Sequence, residues 1–175
     1  MNEIITKRLK LRSYKVDDVD FVHEYASNKE IVKYMLFGPN THEETENFVS
    51  KIINQYYKEE PVTHLEYAIE LDGLMIGGVS IHIDYDLKQG EMGWILNPKF
   101  QKQGIVSEAA EALKQYAVSK FQLSRIIAKC DSINEASQGV MKKIGMHKIG
   151  IEKDTRIDKK TGLYKFDNLV YQIDF

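Results

Sequence analysis

The apolar and polar positions of the N-terminal part predict one short strand followed by helical segments. Leu9 and Leu11 alternate with charged residues, which predicts the strand. Asp17 then predicts a helix N-cap, because acidic and small polar residues favour helix starts. The helical pattern is interrupted near residues 27–28 and resumes to about Leu36.

A second helix and an antiparallel meander are predicted next. The capping box of Thr41 and Glu44 opens a helix reaching about Tyr57. The pattern then changes to period two, which predicts three neighbouring strands over residues 65–71, 74–85 and 91–96. Asp72-Gly73 between the first two is a hairpin signal, and Gly77-Gly78 predicts a bulge or a close backbone approach.

The C-terminal half alternates helices and strands. Its elements are a helix with apolar positions Val106, Ala110, Leu113 and Ala117, a strand over 125–130, a helix over 134–144 stopped by Gly145, and closing strands over 147–157 and 164–173 around a turn at Lys159–Gly162. This order predicts a mixed α/β (α+β) fold in a single domain, residues 1–175.

Composition narrows the class of protein. The chain has 175 residues, 43% hydrophobic and 29% charged, with a net charge of −2, so a nucleic-acid partner is not expected. No apolar run reaches the ~18–20 residues that cross a bilayer, and the amino terminus lacks a signal-peptide pattern. Cys130 is the only cysteine, and the histidines lack ligand spacing, so we expect no metal. We expect a cytoplasmic protein without a membrane partner.

The segment QKQGIVSEAA, residues 101–110, joins a predicted strand to a predicted helix through a glycine. Helix N-termini present unpaired N–H groups that bind phosphate, and Gly104 permits close approach of a ligand. Taken alone, the segment favours a plain strand–turn–helix junction over a binding loop. It is neither a dinucleotide fingerprint nor a Walker sequence.

Other candidate residues have structural alternatives. HEETE at 42–46 lacks the second histidine of a zinc-protease motif and is interpreted as part of the capping box. Glu91 is either a general base or an exposed charge at a strand end. Ser137 and Tyr164 are either proton donors or structural residues, and Asn134 is most simply the N-cap of its helix.

Two long stretches taken together resemble a known family. GEMGWILNPKFQKQGIVSEAAEAL and CDSINEASQGVMKKIGM are similar to the GNAT N-acetyltransferases, and most similar to the branch of the RimJ and RimL acetyltransferases. The opening ITKRLKLRSY and the ending GLYKFDNLVYQI also resemble that branch. The resemblance implies the GNAT fold, with a mostly antiparallel central sheet of about seven strands flanked by helices.

The resemblance also implies acetyl-CoA as cosubstrate. Gln101 and Gly104 match the first two anchors of the family's phosphate motif, Gln/Arg-x-x-Gly-x-Gly/Ala, whereas Lys102 and Val106 depart from the usual pattern. The implied cofactor-binding residues are Trp94, Ile95 and Leu96 beside the pantetheine arm, Gln101, Lys102, Gln103, Gly104, Ile105 and Val106 at the pyrophosphate, Ser107 at the helix start, and Asn134 near the pantetheine arm. Lys142 and Lys143 lie on the same helix as Asn134 and are interpreted as a solvated pair, with contact to phosphate as the alternative.

The mechanism implied is direct attack of an acceptor amine on the acetyl thioester. We expect Glu91 to act as base through a water, and an N–H of Ile95 or Leu96 to stabilise the oxyanion. We expect Ser137 to protonate the leaving thiolate, with Tyr164 in reserve. The acceptor, a protein N-terminus or a small amine, cannot be read, and the resemblance suggests a homodimer. The alternative is a CoA-binding sensor with little activity.

Overall fold

A computed structural model describes residues 2–157 and 164–175 of the chain. Its strands are β1 (Ile4–Ile5), β2 (Leu9–Arg12), β3 (His64–Leu71), β4 (Leu74–Asp84), β5 (Gln89–Leu96), β6 (Arg125–Asp131), β7 (His147–Ile157) and β8 (Tyr164–Asp174). Its α-helices are α1 (Val19–Ala26), α2 (His42–Asn54), α3 (Ile105–Phe121) and α4 (Glu135–Lys143). The predicted turn at Lys159–Gly162 lies outside the described residues.

The described strands form one mixed sheet of eight strands in the order β1-β2-β3-β4-β5-β6-β8-β7. Every neighbouring pair is antiparallel except β5 and β6, which are parallel. The predicted mixed, mostly antiparallel sheet is therefore confirmed. It has one strand more than expected because Ile4 and Ile5 pair with Leu11 and Lys10.

Helices cover both faces of the sheet. On one face, α3 and α4 bury Leu113 and Met141 against sheet residues such as Val79. On the other face, α1 and α2 bury Tyr25 and Ile52 in a smaller cluster. None of the helices in the described residues is long and apolar enough to cross a membrane.

The start of the first helix differs from the prediction. Asp17 does not cap it, because a 3-10 turn over Val16–Asp18 precedes α1. Asp18 is buried and accepts the Lys15 N–H at 2.7 Å, and the Arg12 guanidinium binds both of its oxygens at 2.7 and 2.8 Å. A buried guanidinium and a buried carboxylate are tolerated together because each satisfies the other.

Other local predictions are confirmed. Thr41 and Glu44 form the capping box of α2, although the helix ends at Asn54, before the predicted Tyr57. Asp72 and Gly73 turn between β3 and β4 with φ of 51° and 80°. A Cβ on Gly77 would lie 2.4 Å from the Ile95 carbonyl oxygen, so the backbones of β4 and β5 approach closely there.

Candidate active site

Strands β5 and β6 diverge halfway along β5. Their pairing runs from Gln89 opposite Arg125 to Met92 opposite Ala128 and ends there. On its other side, β5 stays paired with β4 as far as Leu96. A gap therefore opens along the second half of β5, and the backbone groups that face β6 there have no partner strand.

Pairing with β4 decides which backbone groups face this gap. The Asn97 N–H donates to the Ile76 carbonyl at 2.8 Å, towards β4. Because backbone groups alternate in direction along a strand, Ile95 also faces β4, whereas Trp94 and Leu96 face the gap. Of the two N–H groups predicted as alternatives for stabilising an oxyanion, that of Leu96 faces the gap and that of Ile95 faces β4.

Helix α3 begins at the edge of the gap with free N–H groups. Gly104 is its N-cap in a left-handed conformation, φ 75°, and the first helical hydrogen bond runs from Glu108 N–H to Gly104 O at 3.1 Å. No side chain caps the helix. The N–H groups of residues 105–107 are thus available to an anion. The helix starts at Ile105, earlier than the Ser107 implied by the resemblance.

Two cations flank the helix start. A Cβ on Gly104 would lie 3.3 Å from Lys143 Nζ and 3.8 Å from an Arg8 guanidinium nitrogen. Arg8 donates to the Gln103 carbonyl at 3.1 Å and to Glu108 Oε2 at 2.7 Å. Burial raises the pKa of Glu108, but hydrogen bonds from Thr6 and Arg8 outweigh it and leave that pKa lowered. Glu108 therefore stays ionised and holds Arg8 beside the loop, at the start of β2.

These elements surround a cleft of ≈ 630 Å³, here called the α3 cleft. All but one of the predicted cofactor-binding residues line it. They are Trp94, Ile95, Leu96, Gln101, Lys102, Gly104, Ile105, Val106, Ser107 and Asn134, and the exception is Gln103. Val106 is part of the lining and leaves the cleft open. The unusual Lys102 has φ 62°, the left-handed region in which glycine is the natural residue.

Part of the lining was not predicted. A turn after α1 contributes Glu30, Ile31, Lys33, Tyr34 and Met35. Lys143, interpreted from sequence as solvated, also lines the cleft, although its side chain remains exposed. This segment was predicted to be helical to about Leu36, but α1 ends at Ala26 and only Val32–Tyr34 forms a 3-10 turn. No motif marks the segment as a cleft wall, whereas a cation on the helix after N-x-x-S was a usable signal for Lys143.

The predicted catalytic residues do not all meet in this cleft. Ser137 lines it, and its N–H donates at 3.2 Å to Asn134 Oδ1, which confirms Asn134 as the N-cap of α4. Glu91 is exposed, opposite His82, and does not line the cleft. Tyr164 begins β8, and its side chain lies outside the described part of the chain.

Cys130 is unsuited to nucleophilic attack. It is 8% exposed, and burial, with a smaller contribution from Asp131, raises the pKa of its thiol to about 11. The thiolate is the nucleophilic form of cysteine, so a buried neutral thiol is unreactive. The site therefore offers backbone donors, a helix N-terminus and a hydroxyl in the cleft.

The chain is similar in sequence to known proteins over most of its length. Residues 8–147 match the family model described as an acetyltransferase (GNAT) domain. The chain is 35% identical over 150 residues to the uncharacterized N-acetyltransferase YnaD of Bacillus subtilis, covering 86% of this chain and 85% of that protein. It is 24% identical over 140 residues to the spermidine N(1)-acetyltransferase of Escherichia coli, covering 78% and 72%.

Solved structures of acetyltransferases share the fold of this chain. A GNAT-family acetyltransferase from Bacillus anthracis is 32% identical, with a TM-score of 0.83, covering 99% of this chain and 98% of that one. RimL, a ribosomal L7/L12 alpha-N-protein acetyltransferase solved in complex with coenzyme A, is 25% identical, with a TM-score of 0.86 and coverage of 99% and 98%. The likeness therefore covers the entire fold, including β5 and α3.

Proposed function

Because the chain belongs to the acetyltransferase (GNAT) family, we propose that it transfers the acetyl group of acetyl-CoA to a primary amine by direct attack of the amine. The observation that carries this proposal is the shape of the α3 cleft. Free N–H groups at the helix start suit a pyrophosphate, and the unpaired edge of β5 suits an extended arm. Gly104, with its left-handed φ and no Cβ, fits the same ligand.

Each part of the cleft has a role in this proposal. Residues 101–107 hold the pyrophosphate through backbone N–H groups, while Arg8 and Lys143 add positive charge nearby. Trp94–Leu96 line the pantetheine arm, with Asn134 close to it. Acetyl-CoA supplies an acetyl group activated as a thioester. The Leu96 N–H polarises the thioester carbonyl and stabilises the negative charge that develops on its oxygen.

Proton transfers accompany the attack. An ammonium acceptor loses a proton first, and Glu91 acting through a water is the base that the sequence nominates. Ser137 protonates the departing thiolate, with Tyr164 as the reserve donor. If Glu91 and Ser137 hold these roles, Glu91→Gln and Ser137→Ala lower turnover or alter its pH profile. If both variants match the parent protein in turnover and pH profile, these two assignments are wrong.

Acceptor identity is the open part of the proposal. One relative is named for spermidine, and a solved relative is described as modifying the N-terminal serine of L7/L12, so both kinds of amine are suitable probes. The test is release of CoA from acetyl-CoA with spermidine and with a serine-initiated peptide. CoA binding without release on any amine would contradict acetyl transfer and favour a CoA-binding sensor. The homodimer stays a prediction.

A further inference from the structure

A row of three partly exposed residues crosses the face of the sheet that α1 and α2 cover. Strand register places Glu66 of β3 opposite Ser80 of β4, and Ser80 opposite Gly93 of β5. These residues, here called the Glu66 row, keep partial exposure, whereas Ala68 and Gly78 in the next row are buried. The Glu66 row is therefore a partly exposed strip, here called the groove, beside the buried row.

The groove leads to the gap beside β5. Gly93 follows Met92, the last β5 residue paired with β6, so the row ends where the two strands separate. The row on its outer side contains His64, His82 and Glu91. Along a strand, two residues span about 6.6 Å, so Gly93 is that much closer than Glu91 to the backbone donors of the gap.

Glu66 carries a carboxyl group suited to proton transfer. Burial raises its pKa to about 7, although a hydrogen bond from Ser80 lowers it. The titratable groups that face it are Tyr14 before α1, Tyr25 of α1 and Tyr57 after α2. Burial raises the pKa of all three phenols, so they remain neutral hydroxyls. Within the described residues, no cation forms an ion pair with Glu66.

Gly93 keeps the row open between Ser80 and the gap. A Cβ on Gly93 would lie 3.2 Å from Ser80 Oγ, closer than most real Cβ contacts. The same space, without a Cβ, is within hydrogen-bonding reach of the Ser80 hydroxyl and is suited to a water molecule. One water there would link the hydroxyl with an amine in the gap.

Resting on the proposed acetyl transfer, we propose that Glu66, rather than Glu91, takes the proton of the acceptor ammonium, through Ser80 and one water over Gly93. The ammonium gives a proton to the water, the water gives one to Ser80 Oγ, and the Ser80 hydroxyl gives its own to the Glu66 carboxylate. The freed electron pair of the amine forms the C–N bond, and the C–S bond breaks. Ser137 gives its proton to the departing thiolate, and the second nitrogen proton, lost after attack, restores the Ser137 hydroxyl.

The test compares Glu66→Gln with the parent protein over pH, using spermidine and a serine-initiated peptide as probes. In the parent, kcat/KM falls as pH drops through about 7, because protonated Glu66 cannot accept a proton. Above that pH it is flat until the amine itself titrates. In Glu66→Gln only free amine reacts, so with spermidine we expect a loss of about 100-fold near neutral pH and a rise of about tenfold per pH unit. With the serine-initiated peptide, whose α-amino group has a pKa of about 7.7–8.0, the loss should be smaller.

Folding is checked separately. Since burial disfavours the ionised carboxylate, the neutral glutamine should raise the thermal midpoint above pH 8 or leave it unchanged, and CoA affinity should stay constant. Glu43→Gln is the matched control, because Glu43 is an exposed carboxylate on α2, outside the groove. We expect Glu43→Gln to retain the turnover and pH profile of the parent.

The other outcomes overturn the assignment in distinguishable ways. A Glu66→Gln variant with the parent's turnover and flat region refutes the relay and leaves acetyl transfer intact. A higher KM with unchanged kcat and pH profile shows that Glu66 only binds the amine, which also refutes it. If the parent protein itself releases no CoA with either probe, the proposed function fails, and the relay fails with it.

Discussion

The α3 cleft and the Glu66 row differ in the groups they use, which are backbone groups in the cleft and side chains in the row. In the proposed function the cleft binds through backbone groups, which are the helix N–H groups of residues 105–107 and the edge of β5 beyond its pairing with β6. The Glu66 row acts through the side chains of Glu66 and Ser80 and through the space left by Gly93, one residue from each of three strands. Backbone groups are the same whatever the residue, so the cleft tolerates Lys102 and Val106. A proton relay has no such tolerance, because it needs a carboxylate, a hydroxyl and an open space for a water at fixed positions.

The variant with the largest expected effect confined to one region is Gly93→Ala. Its methyl group lies 3.2 Å from Ser80 Oγ, where the relay water would bind. We expect kcat to fall about 100-fold, as for loss of a general base, with CoA affinity unchanged. Stopped-flow turnover and calorimetric CoA binding measure the two effects.

Gly150→Ala is the control for the Gly93 variant. Gly150 is also a strand glycine, and a Cβ there meets nothing within 4 Å. This control should leave turnover and CoA affinity unchanged. A parallel loss of CoA affinity in Gly93→Ala would mean that the two regions are not separable.

Gly104→Ala is the reciprocal variant on the cleft side. Alanine at φ 75° costs ~1–2 kcal/mol, and the loop avoids this cost only by leaving the conformation that presents its N–H groups. We therefore expect CoA affinity to fall about tenfold, while the pH profile at saturating acetyl-CoA keeps its inflection. Calorimetry and initial rates test this.

Gly73→Ala separates backbone strain from binding. Gly73 has φ 80° in the β3–β4 hairpin, and no atom lies within 4 Å of its Cβ position. It should lose stability without losing CoA affinity. Equal losses of affinity in both glycine variants would contradict a specific role for Gly104.

We expect Ser80→Ala to lower the rate less than Gly93→Ala, and to shift the pH dependence of kcat/KM in a defined direction. Its hydroxyl relays the proton and also lowers the pKa of Glu66. A water can replace the hydroxyl, so we expect a loss of roughly fivefold. Without the hydrogen bond the pKa of Glu66 rises further, so the acid limb of kcat/KM moves to higher pH. Carbon-13 NMR of labelled glutamate reports the same shift directly.

The exposed Ser119 of α3 provides the control, Ser119→Ala. It should change neither the rate nor the acid limb. An acid limb in Ser80→Ala that stays in place or moves to lower pH would show that Ser80 does not hydrogen-bond to the carboxylate.

The same contrast explains what the sequence could predict. The hairpin at Asp72-Gly73, the capping box at Thr41 and the phosphate loop are each encoded within a few consecutive residues. Local conformation and free backbone groups follow from such short segments. The cleft was accordingly predicted almost completely, except where the turn containing Tyr34 reaches it from a distant part of the chain.

The Glu66 row was not predictable in this way. Glu66 occupies a polar position in an alternating strand, which indicates only the opposite face from Tyr67. Its partners Ser80 and Gly93 are set by the register of two hairpins, and its raised pKa depends on burial by Tyr14 and helix-borne residues. Only the tertiary packing decides whether such a carboxylate is a solvated charge or a base. Glu91 was nominated because its position at the start of a strand was visible in sequence.

The smallest expected effect belongs to Lys102→Gly, and it separates backbone from side chain within the cleft. Lys102 adopts φ 62°, which an L-residue avoids and glycine accepts freely. Relief of this strain offsets the larger unfolded-state entropy of glycine, so stability should rise by less than about 1 kcal/mol. CoA affinity should change by no more than about threefold, because backbone N–H groups supply the binding.

Lys102→Ala completes this comparison, since it removes the same ammonium and keeps the unfavourable φ. We expect it to be less stable than Lys102→Gly, with similar CoA affinity, in thermal unfolding and calorimetry. If both variants lose more than about tenfold in affinity, the Lys102 charge binds the phosphate, and the cleft depends on side chains as much as the Glu66 row does. If only Lys102→Ala loses affinity, loop conformation is the cause. The contrast between a backbone site and a side-chain site then holds.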